Sequence, residues 1–197
     1  MKELVPKNAK LVPKGAERVF KGKIFDVYQW QQKMYDGTEK TFEMLKRPDT
    51  VEVIAIKNGK IVVLEEEQPD SPHSYYALPG GRHDVPGEST LVAAQRELLE
   101  EAGLRFKTWR LVNVVQPLSK SDWFIYRYLA TDLDSEVAHA PEADGERIIV
   151  MEKTLDEVKQ LLSTPKRGHL PLELFSSLQS IEELVRMPTF EGREVDR

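Results

Sequence analysis

The sequence predicts an α/β fold, specifically an α/β/α sandwich with a mixed sheet and an N-terminal β arm. Three observations predict it. Strand-like segments lie between amphipathic helical segments, the hairpin signal Asn58-Gly59 joins two apolar strands, and a glycine-rich loop runs into an amphipathic helix. The chain has 197 residues, a length that suits one domain. We therefore expect a single layered domain with an appended arm.

The predicted arm covers residues 1–45. Residues 17–34 carry aromatic and β-branched side chains and predict one strand, Asp36-Gly37 predicts a turn, and residues 41–45 predict the returning strand. Two such strands have few partners in a small sheet. A second subunit is one place where they can lie, so the arm is a candidate for dimerisation and strand exchange.

The predicted main domain covers residues 46–165. Its central strands, 51–56 and 60–64, are apolar without alternation, which is typical of strands buried on both faces. The remaining elements predicted in this domain are a short strand at 75–78, strands at 110–115, 123–130 and 148–151, and a helix at 154–162.

Residues 166–197 are predicted to complete the same domain. An apolar stripe with helical spacing predicts a helix over 172–185. The tail from Met187 is polar, so we expect it to be frayed.

The composition excludes several classes of protein. The chain has no cysteine, which excludes disulfides, a cysteine nucleophile and a thiolate zinc site. Its net charge is −5 and no basic stripe stands out, so we expect no nucleic-acid partner. The first residues lack an apolar leader segment and no run reaches membrane-spanning length. We therefore expect a cytoplasmic protein with no membrane partner.

The helix after the glycine loop gathers acidic side chains. Glu97, Glu100 and Glu101 stand at i, i+3 and i+4, so their carboxylates share one face. Ser89 is a candidate N-cap, and Gly103 a candidate C-terminal glycine. The opposite, buried stripe consists of Leu91, Ala94, Leu98 and Ala102. Three like charges favour a bound cation, and hard oxygen ligands suit Mg²⁺ or Mn²⁺; the alternative is a solvated glutamate-rich helix.

The loop and helix together resemble the signature of the Nudix hydrolases. That signature is glycine, five residues, glutamate, seven residues, then Arg-Glu-apolar-any-Glu-Glu-any-Gly-apolar. The positions on the pattern are Glu88, Arg96, Glu97, Leu98, Glu100, Glu101, Gly103 and Leu104. One departure is visible, because six residues instead of five separate Gly81 from Glu88. The extra residue lies in the loop and leaves the helix register intact.

The resemblance implies a metal-dependent hydrolysis of a diphosphate bond. It implies Glu97, Glu100 and Glu101 as metal ligands, with the backbone carbonyl of Gly80 as a further ligand. Arg96 precedes Glu97 and stands four residues before Glu100, so it can orient the carboxylates; the alternative is an ordinary surface ion pair. Glu100, as a ligand, and Arg96, through this orienting role, are therefore also catalytic candidates.

A general base must come from elsewhere in the chain. Residues 134–146 form a polar, acidic segment, which by itself is typical of a solvated loop. The resemblance implies that the base lies there, as Glu142 or Glu146, and the sequence does not choose between them.

Candidate substrate-binding residues lie outside the signature. Arg47, Arg82 and Lys120 are candidate cations for the diphosphate, although each is also typical of an ordinary surface charge. Phe25 and Tyr28 are candidates for stacking on a base, with a core or interface stripe as the alternative.

Features beyond the signature resemble the ADP-ribose and ADP-sugar pyrophosphatase branch of the family. These are the long N-terminal arm, the loop at Pro117, the acidic loop and the closing helix. The resemblance implies a homodimer with exchanged arms and a nucleoside diphosphate sugar cut to a nucleoside monophosphate and a sugar phosphate. The strand ending at 65–69 lacks the arginine common in that branch, and Pro117 lacks the following glycine. Both departures favour the general class of nucleoside diphosphate sugars over ADP-ribose itself as the substrate.

Two other functions fit the same sequence. One is a house-cleaning pyrophosphohydrolase that acts on nucleoside triphosphates. The other is a catalytically silent Nudix-fold nucleotide sensor, although such proteins usually lose a signature glutamate and here all are present.

Overall fold

A computed structural model describes residues 2–138, 145 and 147–196. Its strands are β1 Lys2–Val5, β2 Glu17–Lys21, β3 Asp26–Lys33, β4 Glu39–Lys46, β5 Asp49–Lys57, β6 Lys60–Glu67, β7 Tyr75–Ala77, β8 Gly80–His83, β9 Leu104–Val115, β10 Ser121–Asp122, β11 Ile125–Glu136, β12 Arg147–Lys153 and β13 Arg193–Asp196. Its helices are α1 Thr90–Ala102, α2 Leu155–Leu162, α3 Leu172–Ser177 and α4 Ile181–Val185, with a short 3₁₀ turn at Pro165–Arg167. Within those described ranges, no helix has the length and apolar character needed to cross a membrane.

The predicted hairpin at Asn58-Gly59 is confirmed and opens the central sheet. Both turn residues have positive φ, 52° and 71°, as this tight turn requires. The strands pair only at Ile56 with Ile61 and Lys57 with Lys60, and then separate. Beyond that point β8 pairs with β5 and β7 pairs with β6. The divergence therefore brings the glycine loop to the middle of the sheet, whose order is β12-β6-β5-β11-β9.

Helices cover both faces of this sheet, so the predicted sandwich is confirmed. Val51 and Val53 of β5 belong to the core that includes Leu98 of α1. Ile54, one residue further, belongs to the second core, which includes Val158 of α2. Successive side chains of a strand point to opposite faces, so the continuous apolar run of β5 serves both layers.

The N-terminal arm differs from its prediction in one respect. The single strand predicted over 17–34 is wrong, because the chain turns at Gly22 and forms two strands, β2 and β3. The Gly22 amide donates to the Phe25 carbonyl over 3.0 Å, and a Cβ there would stand 2.3 Å from that oxygen. The arm strands build a four-stranded sheet of order β10-β4-β3-β2, in which β4 pairs in parallel with β10 of the same chain.

The single helix predicted over 172–185 is also wrong. The chain forms α3 and α4, separated at Leu178, whose backbone is extended. The Lys159 ammonium donates to the Leu178 carbonyl over 2.6 Å, and Ser180 caps α4. The helix is therefore interrupted at a tertiary contact, although the apolar stripe over 172–185 has continuous helical spacing.

The frayed tail is the third correction. Residues Arg193–Asp196 form β13, which pairs antiparallel with β1. Val5 and Val195 of this pair of strands are buried in the core that includes Leu98. The two ends of the chain stabilise one another, and local sequence carries no signal for a partner so distant.

Candidate active site

Helix α1 begins and ends where the sequence predicts. The Ser89 side chain accepts from the Val92 amide over 3.3 Å. Gly103 adopts φ 67° and its amide donates to the Leu99 carbonyl. Because Ala94, Leu98 and Ala102 are buried against the sheet, the acidic face is directed toward the glycine loop.

The two loop glycines allow that face to approach closely. The Gly80 amide donates to Oε2 of Glu101 over 2.7 Å. A Cβ on Gly80 would stand 2.0 Å from the Val51 carbonyl oxygen, and one on Gly81 would stand 2.6 Å from the Glu97 carboxylate. Any larger residue at either position would displace a backbone strand or a carboxylate that the predicted metal site needs.

Arg96 lies among three carboxylates. Its Nε and Nη2 donate to the two oxygens of Glu88 over 3.1 and 3.2 Å, and its Nη1 donates to Glu97 over 2.8 Å and to Glu100 over 3.2 Å. The hydrogen bonds to Glu88 are the largest cause of a raised pKa of Arg96. This bidentate clamp is the geometry that the predicted orienting role requires.

The acidic face is electrostatically suited to a divalent cation. Burial raises the pKa of Glu97, and the Arg96 guanidinium only partly offsets it. Three carboxylates, Glu88, Glu97 and Glu100, converge on Arg96. A fourth, Glu101, accepts from the Gly80 amide of the loop instead. Hard oxygen donors in excess of positive charge fit Mg²⁺ or Mn²⁺. Glu97, Glu100, Glu101 and the Gly80 carbonyl are the groups that would hold it.

A second cluster lies beside the loop. Glu3, Asp49 and His83 form the one group of metal-ligating side chains, in the described part of the chain, whose ligand atoms all lie within 4.8 Å of one another. Asp49 and His83 face each other across β5 and β8, and His83 Nε2 also contacts the Glu88 carbonyl at 2.7 Å. Sequence reasoning missed Glu3 and Asp49, since they come from separate strands and share no motif.

A cleft of about 370 Å³ opens next to Gly80 and Gly81. Arg47 and Arg82 line it together with Trp123. The Arg47 guanidinium lies 4.5 Å from the Trp123 ring centroid and 5.4 Å from that of Phe25. Its Nε is buried without a hydrogen-bond partner among the described residues. Burial and the nearby charge of Arg82 lower the pKa of Arg47.

The other predicted substrate residues are placed differently. Tyr28 lines an adjoining hollow together with Arg47 and His83. The Lys120 ammonium lies 4.6 Å from the Phe42 ring centroid, in a separate hollow on the N-terminal sheet. The structure therefore brings Arg47, Arg82 and Phe25 together and does not bring Lys120 to them.

Two further findings concern the floor of the cleft and the predicted base. Glu52, opposite Gly80 in the β5–β8 ladder, forms a buried ion pair of 2.6 Å with Arg127. A single charged residue within each of two apolar stretches, Glu52 in β5 and Arg127 in β11, is the sequence signal that could have indicated this pair. Glu142 and Glu146 lie outside the described residues, so the general base stays a prediction.

Comparison with known proteins decides the family. The model of the NUDIX domain matches residues 46–171. The chain belongs to the Nudix family.

Two relatives and one solved structure resemble the chain along most of its length. An ADP-ribose pyrophosphatase of Mycobacterium tuberculosis is 35% identical over 135 residues, which cover 66% of this chain and 65% of that protein. A methanol dehydrogenase activator of Bacillus methanolicus is 29% identical over 148 residues, covering 74% and 80%. The crystal structure of an ADP compounds hydrolase, 20% identical, superposes with a TM-score of 0.67 over 91% of this chain and 96% of its own. The family and the similarity to an ADP-ribose pyrophosphatase identify the chain as a pyrophosphohydrolase resembling the ADP-ribose pyrophosphatase branch.

Proposed function

We propose that this Nudix enzyme hydrolyses the diphosphate bond of a nucleoside diphosphate sugar, with Mg²⁺ as its metal. The products are a nucleoside monophosphate and a sugar phosphate. The similarity to a relative named ADP-ribose pyrophosphatase supports the substrate class. The intact set of signature glutamates supports turnover over a silent sensor.

The observation that carries the proposal is the position of Arg47 and Arg82 next to the glycine loop. Burial lowers the pKa of Arg47, and repulsion from the nearby Arg82 guanidinium lowers it further. Arg47 is packed between aromatic rings, which keep it in place while its charge faces the cleft. A diphosphate relieves this repulsion because its oxygens accept from both guanidinium groups. Arg47 and Arg82 can bind the anionic diphosphate, and the acidic face of α1 can bind a cation. The two together suit a diphosphate that carries a bound metal ion.

The reaction follows from this arrangement. The oxygen of a water molecule bonds to one phosphorus, the bond from that phosphorus to the bridging oxygen breaks, and the bridging oxygen leaves with its electron pair on the other phosphate. The water proton passes to a base, for which Glu142 and Glu146 are the candidates. Arg96 holds Glu97 and Glu100 in position, and Arg47 and Arg82 bind the phosphate oxygens. A divalent cation held by Glu97, Glu100, Glu101 and the Gly80 carbonyl would supply charge neutralisation and a lower pKa for a bound water.

A substrate panel tests the proposal. We expect hydrolysis of ADP-ribose or another nucleoside diphosphate sugar with Mg²⁺, and none with EDTA. Glu101→Gln should lower kcat by about 10²–10³-fold, whereas Glu191→Gln, a change at an exposed tail residue, should have no effect. Pyrophosphate release from deoxynucleoside triphosphates, with the sugar compounds untouched, would contradict it in favour of the house-cleaning activity. Equal absence of turnover in wild type and Glu101→Gln across the panel would favour the nucleotide sensor.

The proposed assembly is a homodimer formed through the N-terminal arm. Strand β2 is exposed along its whole length, and Phe20 is 58% exposed. Apolar side chains on an edge strand favour pairing with another chain. Light scattering should give twice the mass of one chain for wild type and for Tyr35→Glu, a change at an exposed turn, but one chain mass for Phe20→Glu. A monomeric wild type would overturn this assembly.

A further inference from the structure

The cleft beside the glycine loop has a second wall, built from β6, β7 and the turn before α3. Tyr75, His169, Glu66 and Gln68 line it. Glu66 and Tyr75 lie directly opposite each other in the β6–β7 ladder. The wall faces the side that carries Arg47 and Arg82, because those residues belong to the β5 and β8 side of the same cleft.

The two walls differ in charge. The β5 and β8 side lines the cleft with the guanidinium groups of Arg47 and Arg82, and its Glu52 carboxylate is paired with Arg127 at 2.6 Å. The β6 and β7 side lines the cleft with no guanidinium group among its described residues, but with Glu66, Gln68 and the rings of Tyr75 and His169. Such groups accept hydrogen bonds from hydroxyls and disfavour a further anion. The cleft therefore suits a ligand that is anionic at one end and neutral and hydroxyl-rich at the other.

The second wall is held in place from a distance. Lys166 donates to Glu65 Oε1 over 2.9 Å and to Ser74 Oγ over 2.7 Å, and Ser74 donates to the same Glu65 oxygen over 2.7 Å. We name these three residues the Lys166 tether. Ser74 and Lys166 lower the pKa of Glu65, so its carboxylate stays charged within the tether.

The turn after the tether brings His169 against Tyr75. The His169 amide donates to the Tyr76 carbonyl over 3.2 Å, and the His169 and Tyr75 rings meet edge to face at 5.4 Å. Gly168 has φ 50°, and a Cβ there would stand 2.5 Å from the Tyr76 carbonyl oxygen. Glycine therefore allows the close approach that places the imidazole at the cleft.

We propose that Tyr75 and His169 bind the terminal sugar of the substrate, and that the Lys166 tether positions them. This proposal rests on the proposed function for the identity of the substrate. Tyr75 and His169 contact the sugar and set specificity, whereas Lys166 acts only through them.

Binding measurements test the proposal separately from turnover. Calorimetry with EDTA present compares ADP-ribose with ADP, which has the same nucleoside diphosphate but no terminal sugar. We expect His169→Ala and Tyr75→Ala each to weaken ADP-ribose binding about 5- to 10-fold, which is the loss of one hydrogen bond or contact, and to leave ADP binding within about twofold. His73→Ala, an exposed histidine outside the cleft, should change neither.

Two further variants report on the tether. Lys166→Met should weaken ADP-ribose binding in the same selective way, and Lys166→Arg should restore part of it, because a simple loss of folding would weaken both ligands. Equal weakening of ADP-ribose and ADP, or no change for either, would overturn the sugar site. A wild type that binds ADP-ribose more tightly than ADP but hydrolyses no sugar compound would overturn the proposed function and leave the sugar site supported.

Discussion

The loop and helix of the active site and the second wall of the cleft are built over very different distances in sequence. In the first, the contacts that hold the carboxylates join residues 1 to 21 positions apart, from Arg96–Glu97 to Gly80–Glu101. In the second, Lys166 reaches Ser74 across 92 positions and Glu65 across 101. The carboxylates proposed to hold the metal are therefore positioned by local contacts, and the groups proposed to select the sugar depend on the tertiary fold.

The largest effect is expected from the loss of a predicted metal ligand on α1. Glu101→Gln keeps the shape of the side chain and its acceptor for the Gly80 amide, but removes a charge from the cation site. We expect kcat to fall by about 10²–10³-fold, with an unchanged thermal unfolding midpoint. Steady-state kinetics and circular dichroism measure the two quantities. A kcat within threefold of wild type would remove Glu101 from the predicted ligand set.

The Arg96 clamp should give a smaller effect. Arg96→Lys retains the positive charge but cannot make the bidentate contact with Glu88 while also reaching Glu97 and Glu100. We expect apparent Mg²⁺ affinity to fall about 10- to 100-fold, the usual range for a residue that orients metal ligands. Activity titrated against Mg²⁺ measures this affinity. Arg105→Lys, at an exposed position outside the site, is the matched control and should have no effect.

Two glycine substitutions distinguish the effect of a close contact in the glycine loop from the effect of a strained backbone elsewhere. Gly81→Ala places a methyl group 2.6 Å from the Glu97 carboxylate, so we expect about 1–3 kcal/mol of destabilisation together with weaker Mg²⁺ activation. Gly59→Ala, at φ 71° in the hairpin, should destabilise by about 1 kcal/mol and leave Mg²⁺ activation unchanged. Equal Mg²⁺ activation in both variants would show that the loop does not need this close approach.

The pH dependence of the Lys166 tether should give the smallest effect. The pKa of Glu65 is lower in the folded protein than its ordinary value of 4.5. The tether therefore stabilises the fold above that ordinary value, and the stabilisation is lost as pH falls through the lowered pKa. The difference in unfolding midpoint between wild type and Lys166→Met should shrink below about pH 4.5. A difference that stays constant from pH 7 to pH 3 would show that the Glu65 charge contributes nothing.

Short-range patterns in the sequence predicted the elements that use neighbouring residues. The cap at Ser89, the glycine at Gly103 and the hairpin at Asn58-Gly59 follow from backbone preferences that act over a few residues. The three glutamates share a face for the same reason, since helical periodicity alone places them there. The predictions of a single last helix and of a frayed tail were wrong because they depend on contacts between residues far apart in sequence. Lys159 contacts the chain where the last helix is interrupted, and β1 pairs with β13 across the whole chain.

The sequence by itself determined the layered fold class, the acidic face of α1 and the family signature, because each depends on spacing within one element or one loop. Only the tertiary structure decided that Arg47 lies between Phe25 and Trp123 beside Arg82, and that Lys120 lies elsewhere. It also decided that Tyr75 meets His169 at the cleft. These arrangements depend on how the strands pair and diverge. The free energy of that pairing comes from apolar burial over the whole core, so no local sequence pattern predicts it.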